Sequence, residues 1–171
     1  MDTVQVTEGS PATARTRDEI VDELAAHGPV LLATARLITL DLDEAQDLVQ
    51  TTFEIAIRNI GSLRDPDALR AWLLRVEVRE AFRLVRRLRR LVSLDGRVVE
   101  LAGPTTDLAQ RADVRAGLAK LPPRIRAAVA LHHLAGLSVA ETASAMGVSE
   151  NTVRSQLKTG LARLREDLRD G

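Results

Sequence analysis

The chain has 171 residues with 24 basic and 24 acidic side chains and no cysteine, enough length for one ordinary domain or two small ones that bury a core without staples. The missing thiols exclude disulfides and thiolate metal sites, and the three histidines lack liganding partners at suitable spacing, so neither metal nor cofactor is expected. The most apolar run, VLLATARLI at 30–38, is broken by Arg36 and falls well short of the roughly 20 apolar residues of a membrane span; no secretory signal precedes it, and a soluble cytoplasmic protein is expected.

Residues 1–17 are small and polar without an apolar period and are expected to form a disordered tail. From Asp18 onward apolar residues recur at three and four and β-branched alternation is missing, which predicts an all-α chain. A short helix is predicted over 18–26, and Gly28-Pro29 restarts the chain into a second that ends near Thr39. Asp41 or Asp43 can cap the third, whose inward rows are Leu48, Thr52, Ile55 and Val49, Phe53, Ala56. Asp65-Pro66 combines a capping oxygen with a proline whose missing N–H costs nothing in a first turn. The helix it starts, over 66–90, is predicted to bury Leu69, Trp72, Leu73, Val76, Leu84 and Leu88.

Charge is segregated along this half. Residues 18–54 hold nine acidic side chains against Arg36 alone, whereas 69–90 hold eight arginines against Glu77 and Glu80. The first segment suits a basic or neutral partner, the second an anionic one. Residues 91–106 contain Gly96, Gly103 and Pro104, lose the helical period, and read as a flexible linker. The expectation is therefore two small helical domains, at 18–90 and 107–171.

In the second domain a linker-proximal helix is predicted over 107–119. Another begins at Pro122-Pro123, carries His132 and His133 near its negative end and stops at Gly136. Ser138 and Glu141 form a capping box for a short helix that ends at Gly147. Ala143, Gly147, Val148 and Val153 then fit a helix-turn-helix: a small residue where the helices cross, a glycine free to take positive φ, and two valines plugging the shared core. Ser149 caps the last helix, whose inward row is Val153, Leu157, Leu161, Leu164 and Leu168. Its other side presents Glu150, Asn151, Arg154, Ser155 and Lys158, side chains that can read base edges and hold phosphates in a major groove.

The run LPPRIRAAVALHHLAGLSVAETASAMGVSENTVRSQLKTGLARLRE at 121–166 resembles the promoter-binding C-terminal domain of bacterial sigma factors of the extracytoplasmic-function (ECF) group. The resemblance rests on Leu121, Pro122 and Arg126, on the GLS before the short helix, and on Ser149, Thr152, Val153, Arg154, Ser155 and Leu157. LLATARLITLDLDEAQDLVQTTFEIAIRN at 31–59 resembles the core-polymerase-binding segment of the same family through Asp47, Leu48, Val49, Gln50, Thr52 and Phe53. DALRAWLLRV at 67–76 resembles the start of its minus-ten helix.

The resemblance implies a sigma factor with no catalytic residues of its own, whose partners are core RNA polymerase, promoter DNA and an anti-sigma factor, without membrane insertion. It implies that Asp47, Gln50 and Glu54, which share one helix face, dock on polymerase. Arg75, Arg79, Arg83, Arg86 and Arg87 would meet the minus-ten region, with Trp72 in the core, and Glu150, Asn151, Arg154, Ser155 and Lys158 would read the minus-thirty-five element. The chain departs from the family at Glu77 (usually small), Arg79 (asparagine) and Arg83 (aspartate), and also at Thr142 and Gln156. Altered minus-ten recognition and one weakened phosphate contact are the expected consequences. The alternatives are a LuxR-type one-component DNA-binding regulator and a sigma-like polymerase-binding adaptor that does not open promoters.

Overall fold

The computed structural model describes residues 17–59, 68–95 and 116–167, with Arg169. Every regular element among them is helical and none is a strand. In chain order these are α1 (Arg17–Thr39), α2 (Leu42–Asn59), α3 (Leu69–Asp95), a helical turn at 116–120, α4 (Pro123–Val129) continued by a π turn (Ala130–Leu134), α5 (Val139–Met146) and α6 (Glu150–Asp167).

Two boundaries differ from the sequence expectation. The helices predicted on either side of Gly28-Pro29 are one, α1, with Pro29 inside it. A proline removes one helical hydrogen bond, but Leu24, Leu31, Ala35 and Ile38, at most 2% exposed, form one buried stripe through it, and burying that stripe outweighs the lost bond. Likewise α3 runs to Asp95, so 91–95, assigned above to the linker, are helical. No glycine or proline interrupts them before Gly96. Of the tail expected over 1–17, Arg17 is the first residue of α1; the rest of it, the Asp65-Pro66 start, the linker from 96 onward and most of the 107–119 helix lie outside the described residues.

α1 ends where Leu40 takes φ 66, a conformation that costs a leucine about 1–2 kcal/mol and is retained with the side chain 5% exposed in the core. Asp41 Oδ1 then accepts the Glu44 N–H at 2.9 Å, capping α2. The core face of α3 is Leu69, Leu73, Leu74, Glu77, Val78 and Ala81; Trp72 only packs against its edge. The predicted inward row was thus turned to one side, and Val76 is half-buried.

The two halves share one apolar cluster, which continues from α1, α2 and α3 into Leu121, Ala127, Leu131, Ala143 and Val153. Arginines cross the seam between them. Arg70 of α3 donates to the Ala135 carbonyl, and Arg75 Nη2 donates to Ser144 Oγ of α5 at 2.8 Å. The Arg124 guanidinium lies over the Phe82 ring at 5.0 Å, in cation–π range. Arg126, 5% exposed, donates to the Leu121 carbonyl in its own half and through Nη2 to the Ile38 carbonyl of α1 at 2.9 Å. That carbonyl is one of the four a helix C-terminus leaves without an internal partner, and a cation there also meets the negative end of the helix dipole.

Candidate nucleic-acid and polymerase interfaces

The α5–α6 pair has the helix-turn-helix geometry that its sequence predicts. Ser138 Oγ accepts the Glu141 N–H at 3.1 Å and the Glu141 carboxylate accepts the Ser138 N–H at 2.8 Å. These hydrogen bonds to Ser138 hold the Glu141 carboxyl below its ordinary value. Gly147 sits at φ 66, and the Val148 N–H reaches back to the Ala143 carbonyl at 3.1 Å, the six-to-one bond of a Schellman stop. Ser149 Oγ accepts the Thr152 N–H at 3.2 Å and so caps α6.

Val153 and Leu157 enter the core of this half while Leu161 and Leu164 flank it; Leu168 lies outside the described residues. Glu150, Asn151, Arg154, Ser155 and Lys158 are all exposed. Arg154 is held along this face by Glu150 at 2.7 Å and by the Asn151 side-chain oxygen at 3.3 Å. Its guanidinium is thereby extended along the N-terminal turns of α6, the part of a recognition helix that meets bases. Gln156 does not belong to this face: its side-chain oxygen is buried without a hydrogen-bond partner among the described residues.

Asp47, Gln50 and Glu54 are brought together on the exposed flank of α2, with Gln50 Nε2 donating to Glu54 Oε1 at 3.3 Å and Glu54 also pairing with Arg58. Across from them a groove of about 460 Å3 separates α2 from α3, and its opposite wall carries Glu80, Arg83, Leu84 and Arg87. Two residue sets expected to serve different partners therefore face one another. Arg83 is paired with Glu80 at 2.6 Å.

On the other side of Gln50 and Glu54 runs an apolar groove of about 540 Å3 lined by Leu32, Val49, Phe53 and Ile57. The sequence reading placed Val49 and Phe53 inward and passed over Ile57, which is 45% exposed. The available signal was the i, i+4 row 49, 53, 57 beside a row already filling the core.

Arg75, Arg79, Arg83, Arg86 and Arg87 of α3 are all exposed; Arg75 donates one guanidinium N–H to Ser144. Glu77, singled out as a departure in the minus-ten helix, is 0% exposed and neither carboxylate oxygen has a hydrogen-bond partner among the described residues. Burial holds its pKa well above the ordinary value. Its effect on DNA recognition must pass through the packing of α3. Thr142, the other inward departure, is also 0% exposed with its hydroxyl unpartnered among the described residues. His132 Nδ1–H donates to the Leu137 carbonyl at 2.7 Å, closing the turn before α5. No group of three or more His, Asp or Glu among the described residues could hold a metal ion, and none of the described helices is long and apolar enough to cross a membrane.

Residues 24–91 match the family Sigma-70 region 2 and residues 111–164 match Sigma-70, region 4. The chain is 34% identical over 140 residues to the RNA polymerase sigma-E factor of Streptomyces coelicolor, covering 81% of this chain and 79% of that protein. It is 33% identical over 142 residues to the ECF RNA polymerase sigma factor SigM of Mycobacterium tuberculosis, covering 81% and 71%. The chain belongs to the ECF sigma factors. Its fold is that of the sigma factor RpoE solved in complex with the anti-sigma factor NepR from Bartonella quintana, with a TM-score of 0.80, 27% identity, and coverage of 89% of this chain and 98% of that one. As an ECF sigma factor it directs promoter-specific initiation by RNA polymerase. Matches to both sigma regions, in their order, disfavour the LuxR-type and adaptor readings.

Proposed function

We propose that this sigma factor divides its work among three surfaces. The α6 face of Glu150, Asn151, Arg154, Ser155 and Lys158 reads the minus-thirty-five element. Arg75, Arg79, Arg83, Arg86 and Arg87 of α3 bind the minus-ten region. Asp47, Gln50 and Glu54 dock on core polymerase, with the apolar groove beside them receiving side chains of the same partner. The units are 18–95, with α3 running to Asp95, and 107–171, joined through 96–106. The chain contributes no catalytic group and acts in the cytoplasm. Solved complexes of similar chains pair RpoE with NepR and CnrH with the cytosolic domain of CnrY, which supports an anti-sigma partner here as well.

The observation that carries this reading is the exposed Arg154, steered by Glu150 and Asn151 at the start of a capped recognition helix. Reconstitution with core polymerase on a genomic fragment library should yield discrete run-off transcripts; core binding without any transcript would return the adaptor reading. Arg154→Glu with Lys158→Glu should abolish minus-thirty-five protection and leave core binding intact. Loss of core binding in that variant would sink the division proposed.

A further inference from the structure

We propose that Glu150 is a specificity-determining residue of the recognition helix: it reserves the Arg154 guanidinium for a base edge by keeping it from phosphates. This rests on the functional reading above, because it needs α6 to lie in the minus-thirty-five major groove.

Two restraints act on one side chain. Glu150 Oε2 accepts from Arg154 Nη2 at 2.7 Å, and Asn151 Oδ1 accepts from Arg154 Nη1 at 3.3 Å. All three residues are exposed, so the clamp stands on the face that meets DNA. An exposed ion pair at this spacing adds little to folding; its consequence lies in what Arg154 can bind next. Each of the two clamped nitrogens carries a second N–H, which leaves a two-point contact open while the clamp stays closed. A base edge takes that contact without charge: guanine O6 and N7 are neutral acceptors spaced for a guanidinium. A phosphate takes it with a negative charge that then sits beside the Glu150 carboxylate. Either the two anions repel one another, or Arg154 leaves Glu150 and strands a carboxylate against the DNA backbone. Both routes weaken the phosphate contact, and neither touches the base contact.

The surroundings fit this division. Lys158, one turn further along the same face, is exposed and has no ion pair among the described residues, so it is free to hold a phosphate. With 24 basic against 24 acidic side chains, the chain has no excess positive charge to hold it on arbitrary DNA. One guanidinium withheld is therefore a visible share of its sequence-independent binding. Nonspecific dissociation constants of about 10⁻⁴ to 10⁻⁶ M, spread over about 6–10 phosphate contacts, make each contact worth roughly fivefold.

Glu150→Gln keeps the length and an acceptor but removes the charge. In the holoenzyme it should raise affinity for a duplex of random sequence roughly fivefold and steepen the double-logarithmic salt dependence by about 0.9, one further counterion released. Affinity for a promoter recovered by the run-off selection should not rise, so discrimination falls by the same factor. Glu166→Gln is the control: it removes an equal, exposed charge about 24 Å along α6 from Glu150, beyond the screening length at physiological salt, and should change neither affinity. Loss of promoter affinity in Glu150→Gln with random-sequence binding unchanged would overturn the proposal and make Glu150 a direct reader, accepting from a cytosine amino group. Unchanged binding to both duplexes, or an equal rise in Glu166→Gln, would overturn it as well. If Arg154→Glu with Lys158→Glu left minus-thirty-five protection intact, the functional reading beneath it would fail instead.

Discussion

Glu77 puts a carboxylate where the packing of α3 leaves it no donor: both oxygens are buried and unpartnered among the described residues. Because burial raises the folded-state pKa above the unfolded value, the folded state binds this proton more tightly. The site is least costly below the unfolded pKa, and stability is lost as pH rises through the folded one. Glu77→Met fills a similar length without the charge and should stabilise the protein by about 1–3 kcal/mol at pH 8, with a smaller gain at pH 5. Urea unfolding at the two pH values checks this; an equal gain at both would mean that burial does not raise the pKa of the folded-state carboxyl above that of the unfolded chain. The sequence showed that Glu77 departs from the family but not which way it points. Two apolar rows compete on α3, one through Trp72 and Val76 and one through Leu74 and Val78, and a glutamate beside the second argues locally for solvent. Packing against the other helices chose the second row.

At the scale of elements, what was legible depended on whether the signal was local. The capping box, the Gly147 stop and the Ser149 cap are each closed by hydrogen bonds within a few residues, so spacing alone located the helix-turn-helix. The continuity of α1 through Pro29 was not legible, because a buried stripe decided it against the local rule. Gly160 escaped notice for the same reason. It is a glycine inside α6, and a Cβ there would come within 2.9 Å of Ile125 Cγ2 and Val129 Cγ2 on α4. Both neighbours are β-branched and stiff at χ1, so they cannot swing aside. Gly160→Ala would gain about 1 kcal/mol in helix propensity against an overpacking cost of about 1–3 kcal/mol. The expected outcome is a net loss of stability with weaker minus-thirty-five binding, since the α4–α6 crossing positions the recognition helix. A melting temperature above that of the wild type would show that the crossing can widen.

On the scale of the whole molecule, the sequence separated two halves, and the structure joins them through side chains whose reach crosses 65 to 88 positions of chain. Such contacts leave no periodic trace. Arg126 belongs to the LPPRIR opening by which the second half resembles its family, yet its guanidinium serves both halves at once, donating to Leu121 and to Ile38. Only a planar fork with several donors can hold two carbonyls in different directions from one buried position; a lysine ammonium offers a point charge that is costlier to bury. Arg126→Lys should therefore destabilise the protein by about 2–3 kcal/mol. It should also uncouple the halves, so that one cooperative unfolding transition becomes two. Hydrogen exchange distinguishes this from a role confined to the second half: amides of the last turn of α1 should lose protection in the variant. If only 116–167 lost protection while α1 exchanged as in wild type, Arg126 would be a local support of the helix-turn-helix half, and the hold on Ile38 would contribute nothing to the joining of the two.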